Sequence, residues 1–93
     1  MYVKTEFGAL VNLDLANGVY VSRKDAPMGC ERIIADFGNP EDNYTLAAYE
    51  KRDDALFAIT VLAQYMRDKA DVASMNEIRL IVITEDDEEE EYE

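Results

Sequence analysis

The chain has 93 residues, of which 48% are hydrophobic, and 21 acidic against 9 basic residues give it a net charge of -12. This size and composition predict one globular domain with a modest core, and the acidic balance argues against binding to phosphate backbones or anionic membrane surfaces. The chain contains no histidine and a single cysteine, Cys30, which excludes histidine-based catalysis, an intramolecular disulfide and a Cys/His zinc site.

Five short strands are predicted in the first half of the chain. Apolar and polar residues alternate there in the segments 2–7, 9–13, 19–23, 31–37 and 43–49. A period of two is typical of strands that bury one face. Asn17-Gly18 is a strong hairpin signal, and the loops 24–29 and 38–42 contain glycine and proline. Such regular turn signals predict an antiparallel β-meander.

The pattern becomes helical after Lys51. Apolar residues recur at helical spacing from about residue 52 to 70, with Asp53 and Asp54 in the first turn and Arg67 in the last, where these charges complement the helix dipole. No Ser, Thr, Asn or Asp precedes this helix to serve as a good N-cap. One apolar stripe is expected to pack on the sheet: Ala55, Ile59, Leu62, Ala63, Met66 and Ala70.

A second apolar rank lies on another face of the same helix. It consists of Phe57, Val61 and Tyr65, at i, i+4, i+8 spacing. The helix therefore has more apolar surface than one contact with a sheet needs. Either a loop or the last strand covers this rank, or it is an interface for an oligomer or a partner.

The segment at about 78–84 predicts a final strand that is apolar on both faces. Such a strand is usually covered on both sides, so it is either central or paired across a dimer interface, and Ile81 and Ile83 become interface candidates. We expect a single α+β domain over residues 1–84, with the helix packed on the sheet.

An acidic C-terminal tail, residues 85–93, follows the predicted domain. It contains eight acids and no base, and so holds two thirds of the net charge. A run of like charge usually serves as a solvating end, and the alternative is a contact with a basic partner. The tail residues of interest are Glu85, Asp86, Asp87, Glu88, Glu89, Glu90 and Glu91. Their expected basic neighbours are Arg23, Lys24, Arg32, Lys51, Arg52 and Arg67.

The carboxylate pairs outside the tail have ordinary structural explanations. Glu41-Asp42 lies in a predicted turn, and Asp53-Asp54 lies at a helix start. The four glycines stand singly at turns and match no phosphate-binding loop. We therefore predict no catalytic residue, no metal site and no cofactor, and we expect that the protein is not an enzyme.

Two short motifs suggest a resemblance. Val11-Asn12-Leu13-Asp14, followed by Tyr44, Leu46 and Tyr49 ahead of the helix, resembles a pattern in small β-meander-plus-helix proteins of Gram-positive bacteria and their phages. The resemblance covers about two thirds of the chain. It implies the same fold and an accessory role, and it brings no catalytic residues with it.

These patterns predict a non-enzymatic protein-interaction module that self-associates into a homo-oligomer. No signal peptide or membrane span is evident, so a cytoplasmic location is expected. The partner is another protein or a second copy, without direct binding to nucleic acid or membrane. The alternative is an acidic nucleic-acid mimic that inhibits a DNA-binding or defence protein by competing for its basic groove.

Overall fold

The computed structural model describes residues 1–22 and 30–91, with the backbone alone for Pro40 and residues 86–91. The predicted loop 24–29 and the last two tail residues therefore lie outside the described residues. The main elements are β1 (Tyr2–Lys4), β2 (Leu10–Asn12), β3 (Gly18–Ser22), β4 (Glu31–Asp36), β5 (Tyr44–Tyr49), α1 (Arg52–Arg67), β6 (Val72–Ser74) and α2 (Met75–Glu91).

The predicted α+β class, with five strands ahead of the first helix, is confirmed. These strands form two sheets rather than one meander. The antiparallel sheet has the order β3-β4-β5, and the mixed sheet has the order β2-β1-β6, in which β1 pairs in parallel with β6. The difference arises because β1 pairs with β6, a strand far away in the sequence, and so belongs to a second sheet.

A β-bulge interrupts the pairing of β4 with β5. Ile33 lies opposite Ala47 and Ile34 lies opposite Thr45, so Leu46 is the extra residue on β5. A bulge bends its strand and frees local backbone groups from the ladder. The Leu46 carbonyl accepts instead from the Glu6 backbone N–H, at 2.9 Å. This bond connects the turn after β1 to the antiparallel sheet.

Helix α1 packs on the antiparallel sheet, as predicted. Its buried residues are Ala55, Ala58 and Leu62, whereas Met66 is exposed. The packed face is therefore rotated away from the predicted stripe toward Ala58. Small alanines on this face let the helix approach the sheet closely.

The ends of α1 also follow from local chemistry. No side chain caps its start, as the sequence indicated. Instead, Arg52 Nη1 lies 3.5 Å from the buried Glu31 carboxylate of β4. At the other end Lys69 adopts a positive φ of 59°. The Ala70 N–H then bonds the Tyr65 carbonyl at 3.0 Å, as in a Schellman motif, so the helix stops short of residue 70.

The predicted final strand at 78–84 is wrong, because this segment belongs to α2. Met75, Ile78 and Val82 are buried at helical spacing and join the main core. A short run of Ile and Val does not distinguish a strand from a buried helix by periodicity alone. The glutamates that follow are good helix formers, and the helix continues through the predicted domain end to Glu91.

Candidate interaction surface

The rank on α1 is only half exposed. Phe57, Val61 and Tyr65 are partly buried and pack against the main core. Helix α2 lies against α1, so the apolar surface of α1 is partly used within the fold. Each of the three side chains still keeps an accessible portion.

The outward face of α2 is more exposed and includes three large apolar side chains. Leu80 is 65% exposed, Ile83 46% and Ile81 37%. At helical spacing Leu80 lies opposite the buried Met75, Ile78 and Val82. Ile81 and Ile83 lie on the two flanks of Leu80. Large apolar side chains grouped on one face of a surface helix mark interaction sites more often than scattered ones do.

Two of these three residues were predicted from the sequence as interface candidates. These two are Ile81 and Ile83, whereas Leu80 was not among the predicted candidates. The signal was present in the helical spacing of Met75, Ile78 and Val82. Once those three residues face inward, helical geometry turns Leu80 outward.

A shallow cavity of about 230 Å³ lies on this face. It is lined by Leu80, Ile81, Thr84 and Glu85. The Thr84 hydroxyl donates to the Leu80 carbonyl at 2.8 Å, so its polar group is satisfied within the helix. The surface is therefore apolar on one side and acidic on the other, where Glu85 begins the acidic run.

The acidic run continues the same helix. The backbone is helical through Glu91, and the last turn contains no basic residue. The C-terminal end of a helix carries the negative end of its dipole, and acids there are unfavourable. A basic partner would relieve this repulsion. The predicted contacts of residues 88–91 with basic side chains stay a prediction, because the side chains of these glutamates lie outside the described residues, as do Arg23 and Lys24.

Arg79 fixes the orientation of α2. Its guanidinium forms two hydrogen bonds with the Glu6 carboxylate, one of them 2.7 Å from Nη2 to Oε1, and donates a third to the Ala48 carbonyl. It also lies 4.2 Å from the centroid of the Tyr49 ring, within cation–π range. The outward face of α2 is therefore presented at a defined angle to the sheet.

This polar cluster is largely buried. The Glu6 side chain is only 9% exposed, and its Oε1 also accepts the Ala48 N–H at 3.2 Å. The hydrogen bond from Arg79 to Glu6 raises the pKa of Arg79, so the guanidinium stays charged. Burial raises the pKa of Tyr49 to about 12. Arg79 therefore stays charged and Tyr49 neutral across the neutral range.

The pairing of Glu6 with Arg79 was missed from the sequence. The residues stand 73 positions apart, and no local pattern links them. The available signal was Arg79 itself, the single charge within the apolar segment 78–84. A charge buried beside apolar residues requires a partner.

The described residues contain few other groups of functional interest. Among the described residues, no group of three or more acids or cysteines could hold a metal ion. Glu41 and Asp42 are exposed in a short 3₁₀ helix, and Asp53 and Asp54 lie in the first turn of α1, as predicted. Within the same described ranges, no helix is long and apolar enough to cross a bilayer.

Comparisons with protein-family models, curated proteins and solved structures found no match to the chain. The resemblance to small proteins of Gram-positive bacteria and phages remains a hypothesis.

Proposed function

We propose that the protein is a non-enzymatic interaction module that docks through the outward face of α2. One observation supports this most: Leu80, Ile81 and Ile83 are exposed directly before the acidic run of the same helix. The docking surface therefore combines apolar anchors with a dense negative charge. Its location beside the rigid cluster of Arg79 and Glu6 favours binding with little rearrangement of α2.

The partner that fits this surface is a protein with an apolar groove and a basic rim. A helix that inserts its apolar face into a groove is a recurrent mode of recognition. The apolar anchors would provide affinity, because they lose their contact with water. The acids would raise the association rate and exclude acidic competitors. Charge complementarity selects a basic partner over an acidic one.

Capture from extracts of the source cells tests this proposal with three baits. The wild-type chain is compared with a Leu80→Asp/Ile83→Asp variant and with a chain that ends at Thr84. We expect one set of basic proteins to bind the wild type and to be lost from both altered baits. Leu15→Asp is the matched control, because Leu15 is 71% exposed in a separate part of the fold.

The acidic-mimic alternative predicts a different pattern for the same baits. A mimic binds a basic groove through its negative electrostatic field. The Leu80→Asp/Ile83→Asp variant would therefore retain or increase binding, whereas truncation at Thr84 would abolish binding. A helical backbone through Glu91 would give such a mimic regularly spaced charges. Equal capture by all baits would contradict both proposals.

A further inference from the structure

The two edge strands of the antiparallel sheet, β5 and β3, differ in how well they are protected against pairing with a further strand. At the β5 edge, the Leu46 carbonyl accepts the Glu6 N–H, the Ala48 N–H donates to the Glu6 carboxylate, and the Ala48 carbonyl accepts from Arg79. Groups that would otherwise face a neighbouring strand are therefore satisfied within the chain. This edge is closed to strand addition along Leu46–Ala48.

The β3 edge has no such protection within the described part of the chain. Among the described elements, β3 has substantial contacts only with β4 and α1. Its five residues, Gly18–Ser22, include no charge and no proline, and its register with β4 is regular. A Cβ placed on Gly18 would meet open space. Natural edge strands usually carry charges, prolines or bulges that prevent pairing.

We propose that β3 pairs antiparallel with β3 of a second copy across a two-fold axis. This goes beyond the proposed docking function, because it names a second copy as a partner on a surface separate from α2. The two sheets would join into one six-stranded sheet with both β3 strands at its centre. A two-fold pairing closes on itself and stops at a dimer.

The register follows from the strand. When Tyr20 lies opposite Tyr20 of the second copy, all five residues of β3 are paired. Gly18 then faces Ser22 of the second copy, and Val19 faces Val21. Each even-numbered residue therefore faces an even-numbered one, and each odd-numbered residue faces an odd-numbered one. Backbone groups that point outward on one copy therefore meet groups that point outward on the other, because alternate residues of a strand share a direction.

The absence of charge on β3 favours a second copy at this edge over other parts of the surface. Two chains of net charge -12 repel each other, and like charges directly opposite across strands are destabilising. The segment Gly18–Ser22 is uncharged, so this edge meets its copy without such a pair. Tyr20 is 45% exposed, and in this register it forms a cross-strand aromatic pair at the two-fold axis.

Complementary charge variants at Tyr20 test the pairing and its register. Light scattering at physiological ionic strength, where salt screens the repulsion between the two acidic chains, should give the wild type a concentration-dependent mass that approaches twice 10.6 kDa. Tyr20→Lys and Tyr20→Glu should each weaken dimerisation by about tenfold or more, because like charges then face each other. An equimolar mixture should restore dimers, since Lys and Glu face each other in the mixed pair.

Tyr2→Lys is the matched control, because Tyr2 is similarly exposed but lies on β1; it should dimerise like the wild type. Circular dichroism verifies that each variant is folded. A wild type that stays monomeric, variants that dimerise normally, or a mixture that stays monomeric would each overturn the proposal. A monomeric wild type whose captured proteins are lost with Tyr20→Lys would show that a foreign strand uses this edge.

The test of dimerisation through β3 can be separated from the test of docking through α2. The Leu80→Asp/Ile83→Asp variant should still dimerise, and Tyr20→Lys should still capture the basic proteins. Loss of dimerisation in the α2 variant would overturn the assignment to β3. Failure of capture with intact, Tyr20-dependent dimers would contradict only the proposed docking function of α2.

Discussion

The Arg79 guanidinium lies 4.2 Å from the centroid of the Tyr49 ring, and the same group binds Glu6. One side chain of α2 thus contacts both the last residue of β5 and the turn after β1. It connects α2 to both sheets at once. The outward face of α2 depends on this cluster for its orientation.

Replacing Arg79 by Met should destabilise the fold by about 3 kcal/mol, because it leaves the buried Glu6 carboxylate without its cation. Urea denaturation followed by circular dichroism measures the change. Arg67→Met is the control, since Arg67 is exposed on α1, and it should cost less than about 0.5 kcal/mol.

A double-mutant cycle with Glu6→Gln separates the pair from its surroundings. The double variant should be more stable than the sum of the two single losses predicts. Additive losses would contradict a direct coupling between Arg79 and Glu6.

Stability should fall at high pH through Tyr49. Burial raises the pKa of Tyr49 from 10.0 to about 12, so its stabilising contribution is complete below pH 10 and is lost as the pH rises toward 12. Its hydroxyl is buried without a hydrogen-bond partner among the described residues. Tyr49→Phe should therefore match or exceed the wild-type stability at neutral pH.

Urea denaturation at a series of pH values tests this expectation. The advantage of Tyr49→Phe over the wild type should grow between pH 10 and pH 12. Parallel stability curves for wild type and Tyr49→Phe would contradict the assigned shift.

Lys69→Gly should stabilise the protein. Lys69 ends α1 with a φ of 59°, a conformation that costs an L-residue about 1–2 kcal/mol. Glycine removes that cost but loses part of the gain through its more flexible unfolded chain, which leaves a net gain of up to about 1 kcal/mol. Thermal unfolding measures it, and Lys69→Ala, which keeps the Cβ, should show no gain.

Neutralising Glu88–Glu91 to Gln should increase helicity at low salt. Acids at the C-terminal end of α2 oppose its dipole, at about 0.3–1 kcal/mol each. The helical signal in the far-ultraviolet circular dichroism of the wild type should become stronger with added salt and approach that of the variant, because salt screens these charges. A wild-type spectrum that is insensitive to salt would contradict this electrostatic origin.

The antiparallel sheet was predictable because its signals are local. Val19 and Val21 on β3 alternate with Tyr20 and Ser22, and this period reflects one buried face. On β4, Arg32 and Asp36 bound the apolar run that contains Ile33 and Ala35. Helix α1 was predictable for the same reason. The packed face of α1 differs from the predicted stripe, because Ala58 is small and contributes little to a hydrophobic pattern.

The C-terminal third was less predictable because its structure depends on distant contacts. Val72–Ser74 is too short to be recognised as a strand until it pairs with β1. Ile78 and Val82 favour a strand by propensity, yet they pack as one face of a helix. Tertiary packing overrides weak local preference, and α2 carries most of the candidate interaction surface.

The parallel pairing of β1 with β6 also constrains how the protein can fold during synthesis. Of the described elements, β1 is translated first, and all but α2 are translated before or with its partner β6. The antiparallel sheet and α1 have mainly local contacts and can assemble early. On the ribosome, β1 must therefore wait with one edge unpaired until β6 emerges, so the mixed sheet closes after the antiparallel sheet and α1 have formed.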